Sequence, residues 1–242
     1  MVDTKLQTNK LIKLKEKENM STKYNNKIEE IKEIMANLLT NIVEANLISL
    51  EAYQDSDDEK YKEVQSKLSN ITIQGDIIDN EIIKTFALFG PEATELRSLV
   101  AYLKMTNEIV RIGEGVKKYA NRMKNLSSSK CNLEPLNSTI IQLHKSSIVA
   151  LKYILDCFKQ YDNCNIEDLY TKVMVEESKN DDLFSILEKE ILTLIIDAKE
   201  LSIEYVKVLG TLRKLERSCD RSVNIANLML FASQGGEIRH YS

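Results

Sequence analysis

Tryptophan is absent from this 242-residue chain, proline occurs twice and glycine seven times. So few backbone breakers, set among much Leu, Ile, Lys and Glu, exclude a turn-rich β-fold and predict an almost entirely helical protein. No run of about 18 apolar residues exists, so no segment is expected to span a bilayer. The net charge is −4 with both signs interspersed, which leaves no basic footprint for nucleic acid. Residues 1–24 are polar and lysine-rich without an apolar centre. They are expected to form a polar arm or an extension of the first helix, not a secretory signal. The four cysteines (Cys131, Cys157, Cys164, Cys219) follow no CxxC or Cys/His metal spacing and are expected to be reduced thiols in a cytoplasmic protein.

The 3,4 spacing of apolar residues predicts six helices, at about 25–54, 58–88, 91–125, 136–160, 166–196 and 199–233. The first carries an inward row of Ile28, Ile31, Met35, Leu38, Ile42, Ala45 and Ser49. Asp55-Ser-Asp-Asp58 and Gly90-Pro91 punctuate the first half, and Leu126-Ser-Ser-Ser129 is the linker candidate. The expected architecture is all-α, with two tandem antiparallel three-helix bundles at 25–128 and 129–242. Arg111 matches Arg217 and Ala120 matches Ala226, so the halves read as a duplication offset by 106 residues. Leu99, Leu103 and Phe184 are expected in the core. His144 is expected at the surface or half-buried.

One apolar row is interrupted by acid. In the sixth helix Leu209, Leu212, Glu216, Cys219, Val223, Ala226 and Leu230 are spaced for one face, and Asp220 lies one turn from Glu216. The fifth helix has Tyr170, Val173, Glu177, Asn180, Phe184, Leu187, Ile191 and Leu194 inward, with Asp181 beside the interruption. The two helices meet near residue 198 and should run antiparallel. Counting away from that turn sets Glu177 level with Asp220 and Asp181 level with Glu216. Four carboxylates on one patch repel and raise one another's pKa unless a cation joins them. An all-oxygen donor set suits hard ions such as Mg, Ca, Mn or Fe. The competing expectation is that Lys179, Arg213 and Arg217 neutralise the acids. At the matching positions of the first half stand Ile71, Gly75, Val110 and Glu114, so an apolar seam is expected there. Asp76, Asp79 and Glu108 offer at most a partial site.

At these residues the chain resembles the PhoU family of phosphate-transport accessory proteins. That family repeats a signature of the form Leu-Glu-Arg-Ile-Gly-Asp-His/Arg. Here the second copy reads Leu215-Glu-Arg-Ser-Cys-Asp-Arg221, followed by Asn224-Ile-Ala226. The first reads Ile109-Val-Arg-Ile-Gly-Glu-Gly115, without its leading acid. Phe89-Gly-Pro-Glu-Ala-Thr-Glu-Leu-Arg97 and the ending Gly235-Gly-Glu-Ile-Arg-His240 are also similar to family segments. The resemblance implies two three-helix bundles with metal at the signatures, carried over here to Glu177, Asp181, Glu216 and Asp220 only. The expected cofactors are carboxylate-bound Fe, Mn, Mg or Zn ions, more than one in the second bundle. It further implies a regulator that restrains a phosphate ABC transporter, through its nucleotide-binding subunit, and a sensor histidine kinase when phosphate is plentiful. Homodimerisation and a cytoplasmic place beside membrane complexes are implied too. Two other classes are weighed against it. A di-iron enzyme of the helical-bundle type needs Glu-x-x-His pairs, and neither His144 nor His240 has a Glu three residues before it. A structural scaffold without metal is the remaining alternative.

Overall fold

The computed structural model describes residues 2–127 and 129–235, with side chains at 20–127, 129–161 and 163–235. The tail after Gly235, including His240, and Ser128 of the linker candidate lie outside the described residues. Among the described residues all regular secondary structure is helical. The helices are α1 (Val2–Asp55), α2 (Asp58–Lys67), α3 (Ile71–Phe89), α4 (Ala93–Ser127), α5 (Asn137–Lys159), α6 (Ile166–Asp197) and α7 (Ser202–Gln234).

The punctuation acts by identifiable chemistry. Ser56 takes a left-handed φ of 54° at the end of α1. Asp57 then caps α2, its Oδ1 accepting from the Glu59 amide at 2.9 Å. Gly90 closes α3 at φ 54°, where only glycine is unstrained, and its amide donates to Phe86 O at 3.2 Å. The polar N-terminal residues continue α1 rather than detach from it.

The first half, α1 to α4, packs around the inward row of α1, all seven members of which are buried. The second half is α5, α6 and α7. The two halves are not separate cores, because one contiguous apolar cluster runs through both. α1 lies on α5, and α4 lies on α7 in the most extensive helix pairing among the described residues. That pair is antiparallel: Arg221 reaches Glu108 at 2.6 Å and Arg122 donates to Gly210 O at 3.3 Å.

Four expectations are corrected. The second predicted helix is two helices, broken at Leu68-Ser-Asn70, where the Leu68, Ser69 and Ile71 amides donate to Val64, Ser66 and Leu68 carbonyls. Leu103 is 37% exposed, because the inward row of α4 runs Leu99, Tyr102, Met105, Ile109 and turns it outward. His144 is fully buried, since α5 packs against α1, α6 and α7 and has no broad solvent face. Cys157 and Cys164 are disulfide-bonded rather than free: the single 3-10 turn between them brings their Cα atoms to 5.2 Å, within the usual bridging range. Cys131 and Cys219 remain free.

Candidate metal centre

α6 and α7 form an antiparallel hairpin closed by the turn at Ala198–Leu201. Its midpoint carries the acids. Glu177, Asp181 and Asp220 each bring one carboxylate oxygen within 4.8 Å of the others. Glu216 adjoins this group from one turn back on α7, and its Oε2 is buried without a hydrogen-bond partner. The antiparallel register inferred from the helix turn is therefore the register observed, with three acids drawn together and the fourth at their edge.

Burial and mutual repulsion hold these acids toward their neutral forms. Glu216 is pushed up to about 7, first by burial and then by the charges of Asp220 and Asp181. Asp220 is pushed up to about 6 by burial and by Asp181. Glu177 is raised by burial, then by Asp181 and Asp220; Asp181 is raised by burial and by Asp182. Two like charges about 4 Å apart repel by roughly 1 kcal/mol in water and roughly 4 near a protein surface. The fold keeps this repulsion in place instead of separating the groups.

Nearby cations do not bridge them. Lys179 turns to Glu176 at 3.5 Å. Arg213 pairs with Glu188 at 3.3 Å and stacks over the Phe184 ring. Arg217 lines the cleft between α4 and α7 and makes no ion pair with the acids among the described residues. Among the described residues none of the four acids has an ion-pair partner; the charges of Arg213 and Arg217 on Glu216, and of Arg221 and Arg217 on Asp220, offset burial and repulsion only in part. The arrangement fits a hard cation: donors are oxygen alone, they already lie close, and one buried carboxylate oxygen is unsatisfied. Glu177, Asp181 and Asp220 would hold the ion, with Glu216 able to complete or bridge. Bound there, it would supply positive charge and fix α6 to α7.

Asn180, read from the sequence as part of the polar interruption, has another task. Its Nδ2 donates to Leu143 O at 2.9 Å, and Ser146 Oγ donates to Glu176 O at 2.9 Å. These bonds lock α6 onto α5 on either side of Glu177.

The first half is built differently at the corresponding place. Val110 lies against Gly75, the counterparts of Glu216 and Asp181, so tightly that a Cβ added at Gly75 would sit 2.4 Å from Val110 Cγ2. Ile71 lies against Gly113, the counterparts of Glu177 and Cys219. The seam is apolar and closed. Glu108 is taken by Arg221, and no group of three metal-capable donors forms there among the described residues; burial and then the charge of Asp76 raise the Asp79 carboxyl. Val110 is β-branched and has little rotamer freedom in a helix. Gly75→Ala should therefore destabilise the protein by about 1–2 kcal/mol despite alanine's better helix propensity, and Val110→Ala should rescue it. Urea unfolding of the two single variants and the double variant measures this; strictly additive effects would contradict the close contact.

A duplicated helical chain with a carboxylate patch in its second half defines a class, and comparison with known proteins places it. A family model described as the PhoU domain matches twice, at residues 35–123 and 140–229. The chain belongs to the PhoU domain family. It is 23% identical over 222 residues to the phosphate-specific transport system accessory protein PhoU of Serratia marcescens, covering 91% of this chain and 88% of that one. It is 23% identical over 192 residues to the protein of the same name from Escherichia coli, covering 79% and 77%. The crystal structure of PhoU from Pseudomonas aeruginosa superposes with a TM-score of 0.80 at 21% identity, over 88% of this chain and all of that one. The fold is therefore the PhoU fold, and each matched span falls within one of the two helical halves.

Proposed function

We propose that this chain is a metal-binding regulatory adaptor of phosphate uptake and phosphate signalling. It restrains a phosphate ABC transporter and a sensor histidine kinase when phosphate is plentiful. It works in the cytoplasm, peripheral to the membrane complexes, and makes its contacts through the nucleotide-binding subunit of the transporter. The family membership and the relatives' role as phosphate-transport accessory proteins support the regulatory part. No described helix is long and apolar enough to cross a membrane, which agrees with peripheral attachment. The observation that carries the metal part is the gathering of Glu177, Asp181 and Asp220 beside the unpartnered Glu216 oxygen. The metals are Fe, Mn, Mg or Zn, and the reading takes more than one ion to bind. The reading is of a regulator without catalysis of its own: the one described histidine, His144, is sealed in the core away from the acids. Exposed apolar side chains along α3, including Ile73, Ile77 and Phe86, give a homodimer a surface to cover.

Two measurements test this. Elemental analysis of purified protein should find at least one stoichiometric metal, lost from Glu216→Ala/Asp220→Ala. Affinity capture should retain the transporter's nucleotide-binding subunit and the kinase's cytoplasmic part. Metal-free wild type would leave a scaffold; capture of neither partner would reject the adaptor.

A further inference from the structure

The pairing of α4 with α7 creates a second chemical site on the other side of the α7 signature. Both signature copies meet there: Ile112 and Ser218, which correspond under the 106-residue offset, line one cleft of about 280 Å³. Its walls carry Arg111 and Lys118 from α4 and Lys214, Arg217 and Arg221 from α7. Glu114 is the one carboxylate in the lining. Glu108, outside it, occupies Arg221 at 2.6 Å, and Glu114 approaches Lys118 at 3.6 Å. Arg111, Lys214 and Arg217 have no ion-pair partner among the described residues. Ser218 is 98% buried and lines the cleft, and its hydroxyl has no hydrogen-bond partner among the described residues. Gly115 removes a side chain where α4 nears the Lys214 carbonyl, 3.9 Å from the position of an added Cβ.

We propose that this cleft binds a small phosphate-class oxyanion. Guanidinium forks and an ammonium match tetrahedral oxyanions, and a buried hydroxyl without a partner supplies a further donor. The size lies just below the roughly 300–1,000 Å³ of pockets for drug-sized ligands, which suits a small anion. No aromatic residue lines the cleft, so it offers no platform for a nucleobase. The ligand is accordingly free orthophosphate rather than a nucleotide. The inference rests on the regulatory reading only for its physiological sense; binding itself is carried by the cleft, apart from the acids. It also ties the halves together, since an anion held here bridges cations of α4 and α7.

Equilibrium dialysis of the full chain at low ionic strength, with radiolabelled orthophosphate in one arm and ATP in another, tests it. Wild type should retain orthophosphate saturably. Arg111→Gln/Lys214→Gln should bind at least tenfold more weakly, with its circular dichroism and metal content unchanged. Arg111→Gln alone, an exposed change on a helix surface, should show a smaller loss and guards against misfolding of the double variant. Glu216→Ala should keep its orthophosphate. No retention by wild type, retention of ATP but not orthophosphate, or loss in Glu216→Ala with none in the cleft variants would each overturn the proposal. Loss of metal from Glu216→Ala with orthophosphate binding intact separates this outcome from failure of the metal reading.

Discussion

Manganese added to metal-free protein should raise its melting temperature by about 5–10 °C. A ligand held only by the folded state, present at 100 times its dissociation constant, adds about 2.7 kcal/mol. For a domain of this size each kcal/mol moves the midpoint by roughly 2–4 °C. The acids that would receive the ion lie on α6 and α7, so the gain reflects fixing the hairpin against its own repulsion. Glu216→Ala/Asp220→Ala should show little response. Without metal, the same variant should melt above wild type, because two raised carboxylates and their repulsion are gone. These opposite orderings, variant higher without metal and wild type higher with it, are hard to obtain from a merely structural pair of acids. Identical metal-induced shifts in both proteins, followed by differential scanning fluorimetry, would remove Glu216 and Asp220 from any metal site.

The acid patch was legible because it violates a simple pattern. Glu177 and Glu216 stand in apolar rows, and the turn near residue 198 sets which acids lie level. Both facts are local to one hairpin. The features that escaped the sequence depend on packing between distant segments. His144 follows Leu143 of the inward row, and only the presence of α1, α6 and α7 around α5 closes its face. The break at Leu68-Ser-Asn70 contains neither glycine nor proline, so no local breaker announces it. The disulfide needs the tight reversal between Gln160 and Cys164, which spacing alone does not specify. The cation cleft was half visible, as Lys214, Arg217 and Arg221 at intervals of three and four residues. What turns that stripe into a cleft is α4, about a hundred residues away in the chain and brought against α7 by the shared core.

Acid should weaken the protein through His144 in a way that its replacement abolishes. The ring is buried, and burial lowers its pKa from 6.5 to about 3; the bond to Asn46 opposes this and is the weaker influence. Nε2 lies 2.7 Å from Asn46 Oδ1, a carbonyl oxygen, so the neutral ring donates there and Nδ1 is left bare. From α4, Tyr119 sets its ring edge-on at 4.8 Å, and Asn180 of α6 bonds to the neighbouring Leu143 carbonyl. None of these partners is an acid that would stabilise an imidazolium. Between pH 6.5 and about 3 the unfolded chain accepts a proton that the folded chain refuses. Stability is therefore complete above pH 6.5 and falls as the pH drops, by about 1.4 kcal/mol per unit. At pH 5 the loss is about 2 kcal/mol. His144→Gln preserves an amide donor for Asn46 and carries no titration. Urea unfolding at pH 8 and pH 5 should show wild type losing about 2 kcal/mol more than the variant. The difference cancels the carboxylates of the acid patch, whose raised pKa values act in the opposite direction in both chains. Parallel losses in the two proteins would mean that His144 charges in the folded state and that the seam between α1 and α5 opens to admit water.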